Sequence, residues 1–95
     1  MNEVIETAVK MLSEKLGGSF SGVAKFVIDG EGAIIADSKG VRASDDEADV
    51  TLSASAETFE GMLAGDVNPT VAFMTGKLKV DGNMGLAMQL ASALA

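Results

Sequence analysis

The stretch Asn68 to Leu94, NPTVAFMTGKLKVDGNMGLAMQLASAL, fits a helix start, a strand and a second helix into little chain, and so constrains everything around it. Asn68 ahead of Pro69 reads as an N-cap followed by a first helical residue whose missing N–H costs nothing. Thr70 to Met74 then predict a short helix, which Gly76 ends in a left-handed conformation. Lys77-Leu78-Lys79-Val80 alternates polar and apolar as a half-buried strand does, with Leu78 and Val80 facing in. Asp81-Gly82-Asn83 reads as a turn ending in an N-cap candidate, and Met84 to Leu94 as a helix rich in Ala, Leu and Met.

That last helix carries more apolar surface than an ordinary surface helix. At the helical repeat, Met84, Leu86, Ala87, Met88, Leu90, Ala91, Ala93 and Leu94 cover an arc of roughly 220°, leaving Gln89 and Ser92 on the remaining side. The excess must touch a second layer of protein, a partner chain, or an apolar ligand lying between helix and sheet.

In order, Asn68-Pro69, Ala72-Phe73, Gly76-Lys77-Leu78-Lys79-Val80 and Gly82-Asn83-Met84-Gly85-Leu86-Ala87-Met88 resemble the C-terminal signature of the sterol-carrier-protein type 2 family of nonspecific lipid-transfer proteins. Ala48-Asp49-Val50-Thr51-Leu52 and Phe59 sit where that family has its fourth strand and the following helix. The resemblance is strong from about Ala48 to Leu90 and holds by pattern over the rest.

The remaining chain supplies matching elements. Val4, Ile5, Ala8, Val9, Leu12 and Leu16 recur at helical spacing between Asn2 and Leu16, with Gly17-Gly18 as a stop. Gly22 to Ile28 reads as a central strand with both faces largely covered, Lys25 being its only charge. Asp29-Gly30-Glu31-Gly32 turns into a return strand over Ala33 to Asp37, and Val41-Arg42-Ala43 makes a short edge strand. After the polar loop Ser44 to Glu47, Asp49 to Ser53 is a fourth strand, and Ser55 caps a helix from Ala56 to Ala64 whose Phe59, Met62 and Leu63 share a face. The fold class is α+β: a mixed sheet of about five strands covered by helices, and the natural cavity is the space between those layers.

A chain of 95 residues is read as a single domain, residues 1–95, without room for a second core. Fourteen acidic against seven basic residues give a net charge of −7, which opposes nucleic-acid binding and whole-molecule attraction to anionic membranes; transient membrane contact would need local positive charge. There is no Cys and no His, so cysteine metal sites and a serine–histidine hydrolase are excluded. The acidic run Asp45, Asp46, Glu47 and Asp49 lacks the spacing of a calcium loop, and Asp29-Gly30-Glu31-Gly32 lacks the Walker lysine and the dinucleotide pattern. No catalytic residue, metal or cofactor is therefore expected. The start Met1-Asn2-Glu3-Val4 lacks a secretory leader pattern, which gives a cytoplasmic expectation. The end Ser92-Ala93-Leu94-Ala95 differs from the peroxisomal address of many eukaryotic family members, and with the small size this fits a free-standing prokaryotic member.

The methionines are either adaptable lining for a promiscuous pocket or core filler. Lys77 and Lys79 either hold an anionic head group or simply face solvent. The resemblance favours the lining reading and implies a noncatalytic binder of fatty acids, acyl-coenzyme A, phospholipids or sterol-like molecules in an apolar tunnel between sheet and C-terminal helices. Its expected lining is Phe59, Met62, Phe73, Met74, Met84, Leu86, Met88 and Leu90, with Gly82 and Gly85 allowing close backbone approach. The alternative is an interaction module, whose apolar C-terminal helix forms a homodimer or presents lipid to a partner enzyme.

Overall fold

The computed structural model describes residues 3–94, so the expected helix start at Asn2 and the final Ala95 lie outside the described residues. The elements run α1 (Glu3–Leu16), β1 (Ala24–Ile28), β2 (Gly32–Asp37), β3 (Gly40–Ala43), β4 (Val50–Ala54), α2 (Ala56–Ala64), α3 (Pro69–Met74), β5 (Leu78–Gly82) and α4 (Met84–Leu94). Strand order is β3-β2-β1-β4-β5, with β1 and β4 parallel and the other neighbours antiparallel, so the sheet is mixed. The loop after β3 returns the chain to the start of β1, where the Asp49 N–H donates to the Val23 carbonyl at 2.9 Å and β4 begins.

Alternation along the strands decides which face is core. Ala24, Phe26 and Ile28 on β1, Ile34 and Ala36 on β2, and Val50, Leu52 and Ala54 on β4 are buried on the face that the helices cover. Ile5, Ala8 and Leu12 of α1, Phe59, Met62 and Leu63 of α2, and Ala87, Leu90 and Leu94 of α4 complete that layer. The helix α1 packs over β2 and β3 and meets α2 and α4, whereas α3 packs on the edge strand β5 and on α4.

The second face of β1 is less covered than its composition predicts. Lys25 and Val27 are half-buried there, and the Lys25 ammonium reaches out to the Asp45 carboxylate at 3.1 Å. A lysine keeps its charge hydrated this way while its alkyl stem lies along the sheet. Arg42 on β3 donates to both carboxylate oxygens of Asp37, at 3.1 and 3.0 Å, and the Lys39 N–H donates to one of them at 2.9 Å. Those donors, Arg42 first, hold the Asp37 carboxyl below its ordinary range.

Gly76 ends α3 as its position predicts. At φ 79° it lets the Lys77 N–H reach the Ala72 carbonyl at 2.9 Å, while its own N–H donates to Phe73 at 3.2 Å. The predicted turn at Asp81-Gly82-Asn83 is shorter in the structure, because Asp81 and Gly82 stay in β5 opposite Thr51 and Val50. The Asn83 N–H then donates to the Asp49 carbonyl at 2.9 Å, carrying the ladder to the cap of α4. Gly82 makes this possible: at φ 100° a side chain there would run into the Asp49 carbonyl oxygen and lie 3.1 Å from the Val50 Cα. Among the described residues, no helix is long and apolar enough to cross a membrane.

Two outcomes test this account. Gly82→Ala should lower stability by about 1–3 kcal/mol in urea unfolding, since backbone must move to admit one methyl group; an unchanged midpoint would contradict the close approach to β4. In a side-chain carboxyl NMR titration, Asp37 should take up its proton below the ordinary Asp range, and Arg42→Ala should move that titration upward.

Candidate functional site

The C-terminal helices owe their placement to two asparagine caps. The Asn68 side-chain oxygen accepts from the N–H groups of Thr70 and Val71 at 2.8 and 3.2 Å, with Pro69 filling the first turn of α3. Asn83 repeats the device for α4, accepting from the Leu86 N–H at 3.0 Å. Neither helix contains a charged residue, so side-chain packing and caps alone fix which faces turn inward.

The eight side chains expected to line a tunnel separate into three groups. Phe59, Met62 and Leu90 are buried between helices and sheet, with Phe59 edge-on to Phe26 at a ring separation of 6.2 Å. Leu86 is half-buried beside Gly22 and Phe20, and a side chain at Gly22 would meet its methyl carbons at 2.9 and 3.1 Å. Phe73, Met74, Met84 and Met88 point outward, with 45%, 78%, 51% and 71% of their surface exposed. Val71 joins them at 54%, a residue that the sequence reading did not single out. Its signal lay one position before Ala72, the residue of α3 that turns into the core.

Among the open depressions that lie elsewhere on the described residues are two that none of the eight residues lines. One, of about 700 Å³, has a hydroxyl-rich wall of Ser53, Ser55 and Thr58, with Lys77 and Lys79 beside Asp29 and Glu57. Lys77 and Lys79 thus stand away from Leu78, as the strand period predicts. The other, of about 460 Å³, is an apolar crevice between α1 and the β2–β3 hairpin, lined by Ile5, Val9, Gly32, Ala33 and Ala43 with Glu6 and Glu31. The wide apolar face of α1, which includes Val9, was its sequence signal. The acidic loop is engaged in structure: Asp45 meets Lys25, Asp46 accepts from the Ser44 hydroxyl at 2.9 Å, and Asp49 accepts from the Val23 N–H at 3.4 Å.

Comparison with known proteins gives a consistent result. Residues 2–95 match the SCP-2 sterol transfer family. The chain is 34% identical to hydroxysteroid dehydrogenase-like protein 2 of Xenopus laevis over 99% of its own length, but spans only 24% of that protein. It is also 34% identical to human sterol carrier protein 2, over 90% of this chain and 17% of the relative. Among solved structures, it shares the fold of Aedes aegypti sterol carrier protein 2 in complex with palmitate, with a TM-score of 0.79, 22% identity, and coverage of 100% of this chain and 97% of that one.

The inward and outward groups should respond differently to truncation. Met62→Ala should cost about 2–5 kcal/mol in urea unfolding, whereas Met88→Ala should stay within about 0.5 kcal/mol of the parent. Equal losses at the two positions would refute the assignment of Met88 to the surface.

Proposed function

Because the chain belongs to the SCP-2 sterol transfer family, we propose that it is a noncatalytic carrier that takes one long-chain apolar molecule into the layer between its sheet and C-terminal helices. The observation that carries this reading is the double-sided apolar character of α4. Ala87, Leu90 and Leu94 face the sheet, while Met84 and Met88 leave apolar surface outside. An acyl chain inserted along the inner side would meet Phe59, Met62, Leu86 and Leu90. Phe73, Met74, Met84 and Met88 would continue that apolar path to the surface. Methionine suits such a role because its unbranched thioether repacks around ligands of different shape. The ligand class is that of fatty acids, acyl-coenzyme A, phospholipids and sterol-like molecules; a mosquito protein of the same fold is solved in complex with palmitate.

The energetics require no specific polar contact. Each methylene removed from water contributes about 0.8 kcal/mol, so a dozen of them can offset the cost of association and reach micromolar affinity. Specificity set this way is broad, being governed by length and shape. A second reading follows from the chain's small share of its curated relatives, one of them named as dehydrogenase-like: the domain presents its lipid to a partner enzyme. Faster turnover of carrier-bound than of free lipid by a candidate enzyme would favour that version.

Native mass spectrometry with added saturated fatty acids tests the carrier reading. The expected result is a one-to-one complex whose affinity rises about fourfold per methylene up to the length that fills the layer. A ligand-free mass throughout, with no uptake of oleate or palmitoyl-coenzyme A, would overturn it.

A further inference from the structure

The crevice between α1 and the β2–β3 hairpin stands apart from the carrier layer, because no residue of α2, α3 or α4 lines it. Its walls are largely carbon: Ile5 and Val9 stand one turn apart on α1, opposite Gly32 and Ala33 at the start of β2 and Ala43 at the end of β3. Gly32 keeps the floor low. It sits at φ 146°, and a Cβ there would stand 3.4 Å from two carbons of Ile5, taking up the space between strand and helix. Every charged residue of the lining is a carboxylate, Glu6 on α1 and Glu31 in the turn before β2. A second hollow of about 460 Å³ adjoins this one through Glu31, Gly32 and Ala33, and its further charged residue is again acidic, Asp45. The ion pairs among the described residues join Lys25 to Asp45 and Arg42 to Asp37, so neither supplies a cation to Glu6.

We propose that this crevice is a binding site for a long-chain amine, whose alkyl chain lies between α1 and the hairpin and whose ammonium donates to the carboxylates of Glu6 and Glu31. A volume of about 460 Å³ is that of a small-molecule site. Charge complementarity then decides the sign of the ligand. A fatty acid would set a third negative charge beside the two carboxylates, in a chain of net charge −7, whereas an ammonium is attracted by the near charges and by the distant ones. A neutral lipid gains nothing from either. A second copy of the chain would bring its own charge of −7 toward the same carboxylates. The ligand class therefore differs from that of the carrier layer, and the two sites are separate: the amine needs none of Phe59, Met62, Leu86 or Leu90.

The test is calorimetric titration of the full chain with decylamine, decanol and decanoate below their micelle concentrations, with backbone amide NMR shifts to locate the ligand. Decylamine should bind one-to-one, about fourfold tighter than nonylamine and about tenfold tighter than decanol, with decanoate weaker still. The shifts should concentrate on the first half of α1 and on the β2–β3 hairpin. Glu6→Gln should weaken decylamine about threefold, and Ala43→Phe, which fills the crevice from β3, about tenfold, while Glu60→Gln on α2 should change the affinity less than twofold. Circular dichroism melts confirm that each variant is folded, and Glu6→Gln, at an exposed helical position, keeps the test decisive should Ala43→Phe fail to fold. No binding of decylamine, equal binding of decanoate, equal affinity in all variants, or an equal loss from Glu60→Gln would overturn the proposal. So would displacement of decylamine by palmitate, which would place the amine in the carrier layer, and a solution dimer that Ala43→Phe dissociates, which would give the crevice to a second copy. Palmitate uptake by the parent is measured separately: an amine site without that uptake would remove only the carrier reading, and uptake without an amine site only the present one.

Discussion

The parallel pairing of β4 with β1 is the constraint on which the rest of the structure depends. Its register sets Phe26 beside Leu52 and Ala24 beside Val50, so two buried strands from separate parts of the chain share one apolar stripe. Such a pair cannot be joined by a tight turn, and the intervening chain becomes the β2–β3 hairpin and the acidic loop. Every later element inherits its place from that arrangement. Because β4 takes the inner position, β5 must add at the outer edge, and α3 and α4 are carried to that side with it. The exposed apolar surface of α3 and α4 is thus a consequence of strand order as much as of helix composition.

Gly82 and Asn83 show how tightly the junction is drawn. The ladder between β4 and β5 runs to the last residue before α4, and the cap of α4 begins where the ladder ends. With no slack between strand and helix, the rotation of α4 is fixed by the sheet, and Leu90 and Leu94 fall over the core while Met84 and Met88 cannot. The apolar arc of α4 is too wide for one packing face, and the direction in which the excess emerges is set by the backbone that precedes it.

Much of this was legible in the sequence because it rests on local periodicity. The alternation in Lys77 to Val80, the Asn68-Pro69 start and the Gly76 stop each encode their structure within a few residues, and all three are found as expected. What was not legible depends on partners distant in sequence. Asp81-Gly82-Asn83 has the composition of a turn, and only the approach of Asp49 and Val50 keeps its first two residues in the sheet. The period of α4 gives the width of its apolar arc but not which half meets the sheet, so Met84 and Met88 could not be told from Leu90 before the fold was known. Lys25 is a similar case: its strand composition suggested cover on both faces, whereas Asp45, twenty residues on, draws its ammonium to the surface. The crevice beside Ile5 and Val9 depends on α1 meeting the β2–β3 hairpin, and the apolar face of α1 signals only one of its two walls.

Charge along the chain is distributed as unevenly as its exposed apolar side chains. Five large apolar side chains in one region would ordinarily promote self-association, because burying them against each other removes water from both copies. Here thirteen of the fourteen carboxylates are placed before α3, and their mutual repulsion acts over about a Debye length, roughly 8 Å at physiological salt. That range is long enough to oppose the approach of two copies. Keeping charges off α3 and α4 lets the inner sides of the helices pack without buried ions, while their outer sides carry the exposed Val71, Phe73, Met74, Met84 and Met88.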